Sequence, residues 1–226
     1  MDWQGKKINF LGDSITYGAG VADRENNVFP ARLKRMLSLA EARNYGVNGT
    51  RIAPRKEPLN ASWDSENFIA RAARMDPDAD GVVVLGGTND FGHGDAPLGA
   101  PGDRTTETFY GSLHVLMQTL IGRYPGKMIL FLTPLHRRLE NDPWGDRKED
   151  GTPYKKYPDH PLVDYVQAIR ETAEYYSLPV LDLWAMSGLQ PAVPEIKAHF
   201  MPDALHPNDA GQELLAERIA GFLRAY

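Results

Sequence analysis

The sequence predicts an α/β protein, a parallel β-sheet covered by helices on both faces. Three observations predict it. Short apolar runs rich in branched residues alternate with amphipathic stretches along the chain, the pattern of repeated strand–helix–strand units. Two of these runs, in "GVVVLGG" and "KMILFLTP", are apolar at every position rather than at every second one, as strands buried on both faces must be. Clusters of glycine and polar residues follow the runs, where open parallel sheets bind ligands beyond the carboxyl ends of their strands.

Five strands are expected, at 7–11, 42–47, 81–85, 128–133 and 179–183. The first breaks off into "GDSITYGAG", the second into "NGT", the third into "GGTND" and the fourth into "TPLH". Between them the periodicity predicts helices near 27–41, 64–74, 105–123 and 161–176. A last helix is expected over 209–224, with Leu215, Ile219, Phe222 and Leu223 on one face and Glu213, Glu217 and Arg224 outside. Asn208 or Asp209 is suited to cap its start. Residues 136–160 are charged, carry proline and glycine, and read as a long loop. A loop of that length in a compact domain is usually functional or mobile. A length of 226 residues suits one domain, 1–226, with this loop as an insertion.

Composition narrows the function. The net charge of −5 and the lack of any lysine or arginine run argue against a nucleic-acid partner. The chain has no cysteine, which removes disulfides, thiolate nucleophiles and zinc–thiolate sites. "MDWQGKKINF" lacks the apolar stretch and cleavage site of a secretory leader. No segment is long and apolar enough to span a bilayer, so the cytoplasm is the expected location.

Ser14 is the residue that chemistry singles out. A serine hydroxyl is a poor nucleophile until a base takes its proton, and that base is most often histidine. Of the six histidines, His114 lies in a helical stretch and reads as structural, while His93, His136, His160 and His199 sit in loops without a local orienting partner. His206 stands in "PDALHPN", three residues after Asp203. A carboxylate at that spacing reaches Nδ1 of the imidazole if the segment makes one turn, which leaves Nε2 free to face Ser14. Acyl transfer also needs donors for the developing oxyanion, each worth about 10²–10³ in rate. The candidates are the Ser14 N–H, the N–H of Gly49 and the side-chain amide of Asn89. Asp13 is expected to hold its turn through backbone N–H groups, and Asp90 to cap the segment after it. Asp182, at the end of the fifth strand, is the rival orienter of the histidine.

At these residues the chain resembles the SGNH hydrolases, the GDSL-type esterases and lipases. "GDSIT", "NYGVNG", "GGTND" and "DALHPN" match the four blocks of that family, in family order and over nearly the whole chain, with Ile15 in place of the usual leucine. The resemblance implies a three-layer α/β/α sandwich, flavodoxin-like, with five parallel strands. It also implies an ester hydrolase that works through an acyl-enzyme without metal or organic cofactor. Ser14 would be the nucleophile, His206 and Asp203 its partners, and Ser14, Gly49 and Asn89 the oxyanion hole. The absence of G-x-S-x-G argues against the α/β-hydrolase nucleophile elbow.

Two rival readings remain at this level. One is a metal-dependent phosphoesterase with Asp13, Asn89, Asp90, Asp203 and His206 around a divalent ion. The other is a non-catalytic binding module on the same fold. For the substrate, Trp144, Tyr154 and Tyr157, with Arg137, Arg138, Lys155 and Lys156, are the candidate wall of the crevice. Aromatic rings beside polar groups suit sugar faces. Short-acyl esters such as acetylated carbohydrates, or small lipid esters, are therefore the expected substrates.

Overall fold

The computed structural model describes residues 2–57 and 64–226. Five strands, β1 (Lys7–Gly12), β2 (Glu41–Gly46), β3 (Gly81–Leu85), β4 (Met128–Leu132) and β5 (Val180–Leu181), form one sheet in the order β2-β1-β3-β4-β5. Every pairing is parallel, with Phe10 opposite Asn44 on one side and Val83 on the other. This is the expected α/β/α sandwich.

Side-chain alternation explains the apolar runs. Val82 and Val84 of β3, with Ile129 and Phe131 of β4, face a core containing Phe68, Phe109, Leu113, Tyr165 and Ile169. Val83 and Leu85, with Leu130 and Leu132, face a second core containing Phe29, Leu33, Leu215, Ile219 and Leu223. The first layer is built by α4 (Phe68–Ala72), α6 (Phe109–Arg123) and α7 (Leu162–Tyr175). The second is built by α3 (Phe29–Met36) and α10 (Asp209–Ala225). The expected 27–41 helix is instead two short ones, α2 (Arg24–Asn27) and α3, because Val28 is extended between them and Pro30 starts a new helix. The short helices α1 (Ser14–Tyr17), α5 (Thr88–His93), α8 (Leu183–Met186) and α9 (Pro194–Phe200) were not expected. The start of α10 is capped as expected: Asn208 Oδ1 accepts from Gly211 N–H at 3.1 Å.

The strand order places the crevice. The chain runs from β1 outward to β2, then crosses back to β3 on the other side of β1. Consecutive connections therefore diverge between β1 and β3, which opens a crevice beyond their carboxyl ends. Ser14 follows β1 and Asn89 follows β3, so both stand at that switch point. The long loop is anchored rather than loose. Asp146 N–H donates to Gly92 O at 2.7 Å, Leu162 N–H to Glu140 O at 2.8 Å, and Arg147 bridges to Pro153.

Candidate active site

Asp13 builds the turn that presents Ser14. Its Oδ1 accepts from Ile15 N–H at 2.9 Å and caps α1, which ends one turn later at Gly18 with φ +96°. Helix α1 lies directly on the end of β2. A Cβ on Gly46 would come within 2.2 Å of the Tyr17 nitrogen, so only glycine fits there.

Two segments far apart in the chain meet at the serine. Ser14 Oγ is 2.9 Å from His206 Nε2. The other ring nitrogen, Nδ1, is 2.6 Å from Asp203 Oδ2. Asp203 Oδ1 accepts from the N–H groups of Leu205 at 2.9 Å and His206 at 2.7 Å. Ala204 turns the chain between them with φ +59°. Burial pushes the Asp203 carboxyl up, but the His206 ring and these two N–H donors outweigh it and hold it well below the usual carboxylate range. Such a carboxylate fixes the Nδ1–H tautomer, leaving Nε2 as the acceptor that faces the hydroxyl. Gln212, fully buried on α10, sets the register between the two halves: it donates to Ile15 O and accepts from Phe29 N–H, both at 2.9 Å.

The remaining polar groups come from the ends of β2 and β3. Gly49 has φ +69°, a conformation open to glycine at little cost. Asn89, on α5, donates through Nδ2 to Thr50 O at 2.9 Å. An amide carries two such hydrogens, so one remains for another acceptor. Asp90 does not cap its own helix. Its two oxygens accept from Ile52 N–H at 3.0 Å and Ala53 N–H at 2.8 Å, fastening the segment after Gly49 to α5.

The other five histidines lie in other contacts; His199, expected in a loop, is on α9 against the Phe200 ring. His93 belongs to α5 rather than a loop and sits 3.0 Å from Arg51 Nη1. Burial, then Arg51, Arg137 and Arg55, push it down to about 3, which makes it a weak base. His114 contacts Tyr176 Oη, His136 contacts Glu140 and lies on Trp184, and His160 contacts Asp164. Asp182, the rival orienter, caps α8 and accepts from Thr133 Oγ1, away from His206. Among the described residues there is no cluster of three or more histidine and carboxylate side chains that could hold a metal ion.

The residues expected along the crevice wall are placed in different surroundings. Arg137 is buried, because its guanidinium turns inward to Thr88 O at 3.1 Å, to Thr88 Oγ1 at 3.0 Å and to Asp146. Lys155 is largely buried against the rings of Phe91 and Tyr165, yet it also borders the cleft described below. Trp144 is half-buried in its own turn. Arg138 points back to the Asp203 carbonyl at 2.9 Å. Tyr154 and Tyr157, with Lys156, do line a cleft of about 350 Å³, together with Arg55, Asp95 and Asp159. Contacts from Arg51 to the Gly49 carbonyl and to His93, and from the His93 ring to Tyr154, connect that cleft with the Gly49 turn.

The model of the GDSL-like lipase/acylhydrolase family matches residues 10–214. The chain belongs to this family. Membership supports ester hydrolysis in general. A solved structure 32% identical to the chain superposes with a TM-score of 0.83, covering 100% of this chain and 99% of the other. A protein from Lactobacillus plantarum is 29% identical, with a TM-score of 0.80 and coverage of 99% and 98%. A lipase/acylhydrolase from Enterococcus faecalis, 20% identical over 97% and 96% of the two chains, shares the fold at a TM-score of 0.63. No curated protein matches the chain.

One electrostatic feature of this GDSL-like site predicts a pH-dependent stability. Burial pushes the Asp13 carboxyl from 3.8 up to about 6, against the Ile15 N–H, His206 and Arg71, and its Oδ2 has no hydrogen-bond partner. As the pH rises from about 4 to about 6, the unfolded chain ionises this group while the folded protein still holds the proton. Stability therefore falls through that window, by a total of about 3 kcal/mol for this group. Asp13→Asn keeps the Oδ1 acceptor and removes the charge. Thermal denaturation should show it raising Tm near pH ~8 and having little effect near pH ~4. An equal change at both values would contradict the buried-carboxylate assignment.

Proposed function

We propose that this protein hydrolyses carboxylic esters through an acyl-enzyme on Ser14. The observation that carries the reading is the unbroken relay of 2.9 Å from Ser14 Oγ to His206 Nε2 and 2.6 Å from His206 Nδ1 to Asp203. His206 takes the hydroxyl proton as Ser14 Oγ attacks the acyl carbon. Asp203 holds the ring in the productive tautomer and stabilises the imidazolium. The oxyanion accepts from the Ser14 and Gly49 N–H groups and the free hydrogen of Asn89. His206 then gives its proton to the departing alcohol. Water, deprotonated by the same ring, releases the acid and restores the serine.

We propose short-acyl esters of polar alcohols, such as acetylated carbohydrates, as the substrates. The groups assigned to the site in this reading are polar: His206, Asn89 and the Thr50 turn. The cleft separated from the Gly49 turn by the buried Arg51 offers two tyrosine rings beside Arg55, Asp95 and Asp159, a lining suited to a hydroxyl-rich alcohol. A panel of p-nitrophenyl esters of rising chain length, run beside acetylated xylan and glucose pentaacetate, tests this. kcat/KM should be highest for acetyl and should fall as the chain lengthens, with acetate released from the sugars. A maximum at long acyl chains, with the acetylated sugars untouched, would overturn the substrate assignment.

A further inference from the structure

We infer that Arg71 is a positioning residue for the oxyanion-binding groups: its single guanidinium ties the end of β1, the end of β2 and the Thr50 turn into one rigid unit. The inference rests on the proposed function, since it assigns a role within that site.

Arg71 lies on α4, whose Phe68 and Ala72, with Met75 just beyond the helix, belong to the core on that face of the sheet, and it is buried with them. A buried guanidinium is costly unless its donors are satisfied. No carboxylate among the described residues bonds to it directly; Asp13 and Glu66 act on it only through their charge. Oxygens of the chain satisfy it instead. Nη1 donates to Gly12 O at 2.8 Å and to Tyr45 O, Nη2 donates to Thr50 Oγ1 at 2.7 Å, and Nε donates to Glu66 O at 2.7 Å. The guanidinium also lies over the Phe68 ring, 4.8 Å from its centre.

The acceptors define the role. Gly12 is two residues before Ser14. Tyr45 is the last residue but one of β2, four before Gly49. Thr50 follows Gly49 directly, and its carbonyl is the one that Asn89 holds at 2.9 Å. The three groups proposed to bind the oxyanion arise from three different strand ends, yet each is one or two residues, or one hydrogen bond, from a residue that bonds to this guanidinium. Loosening it would let the donors drift apart, although none of its own contacts is to Ser14, His206 or Asp203. Displacements of about 1 Å cost about 10²-fold in rate when they fall on groups that act in the transition state. A lysine in this place keeps the charge but cannot donate to three acceptors in a plane.

The test compares Arg71→Met and Arg71→Lys with the wild type. The fraction of folded, competent sites is taken from the end-point uptake of diethyl p-nitrophenyl phosphate on Ser14. p-Nitrophenyl acetate turnover is then expressed per titrated site. Both variants should lose about 10²-fold in kcat with KM within about threefold of wild type. A merely structural role would lower Tm and the titrated fraction but leave kcat per site unchanged. Should Arg71→Met not accumulate as folded protein, Thr50→Val cuts the same link at its other end and should lower kcat per site about tenfold. Wild-type turnover per site in the folded Arg71→Met protein, or in Thr50→Val where that is the variant read, would overturn the inference. So would an Arg71→Lys protein at the wild-type rate beside a slow Arg71→Met, because charge and not bridging would then be at work. If wild-type Ser14 takes up no phosphate reagent at all, the hydrolase reading itself fails, an outcome separate from these.

Discussion

Ser14→Ala should lower kcat for p-nitrophenyl acetate by about 10⁴- to 10⁶-fold while leaving the protein folded. The size follows from what the hydroxyl supplies. Without it no acyl-enzyme forms, and only the binding and oxyanion groups remain to assist direct attack by water. The fold should tolerate the change. Ser14 Oγ bonds to His206, whereas the turn is held by Asp13, Gln212 and the backbone of α1. Equal Tm values for the two proteins, with the esterase rate of the variant near that of buffer, are the expected pair of results. A variant retaining more than about a hundredth of the wild-type rate would assign the chemistry to another group.

Asp203→Asn is the second large effect, about 10⁴-fold in kcat, and its reason is the proton on the ring. The amide retains an oxygen, which continues to accept from Leu205 and His206 N–H in the place of Oδ1. Its nitrogen then faces His206 Nδ1 and donates where the carboxylate accepted. The ring must present Nδ1 as an acceptor and carry its proton on Nε2, pointed at Ser14 Oγ, and in that tautomer it cannot take the serine's proton. KM should change little, because no substrate contact is lost. A loss of less than about tenfold would mean that Asp203 neither orients the ring nor stabilises its charge.

The parts of this architecture legible in the sequence are those with two-sided burial or a short motif. β3 and β4 are buried at every position, so their boundaries read closely. β5 was expected over five residues but pairs over only Val180–Leu181, because Asp182 leaves the sheet to cap α8. Helix α5 carries no apolar stripe; its start is Gly87 at φ +105° and its core contact is Phe91. Periodicity could not announce it, and so His93 read as a loop residue. The "GDS" and "DALH" motifs named side chains that the fold does bring into contact, because both stand at strand or helix ends where turn chemistry is local.

The supporting side chains were less visible, since their partners are distant in sequence. Arg137 read as part of the crevice wall because it stands in the charged stretch 136–160, yet Thr88, 49 positions earlier, draws it inward. Gln212 bonds to Ile15 across 197 positions. Arg71 did leave a trace: a charged residue three after Phe68, on a stripe otherwise made of Phe68, Ala72 and Met75. A charge on a buried stripe signals a satisfied guanidinium, but not which carbonyls satisfy it.

The most direct measurement is to catch the intermediate. Protein mixed with p-nitrophenyl acetate, quenched in acid during turnover and digested, can be read by peptide mass spectrometry. One acetyl group should appear on the peptide carrying Ser14, at that residue, and should be absent from Asp203→Asn quenched at the same time. Turnover at the wild-type rate with Ser14 never acetylated, or with the acetyl group on another side chain, would contradict the account.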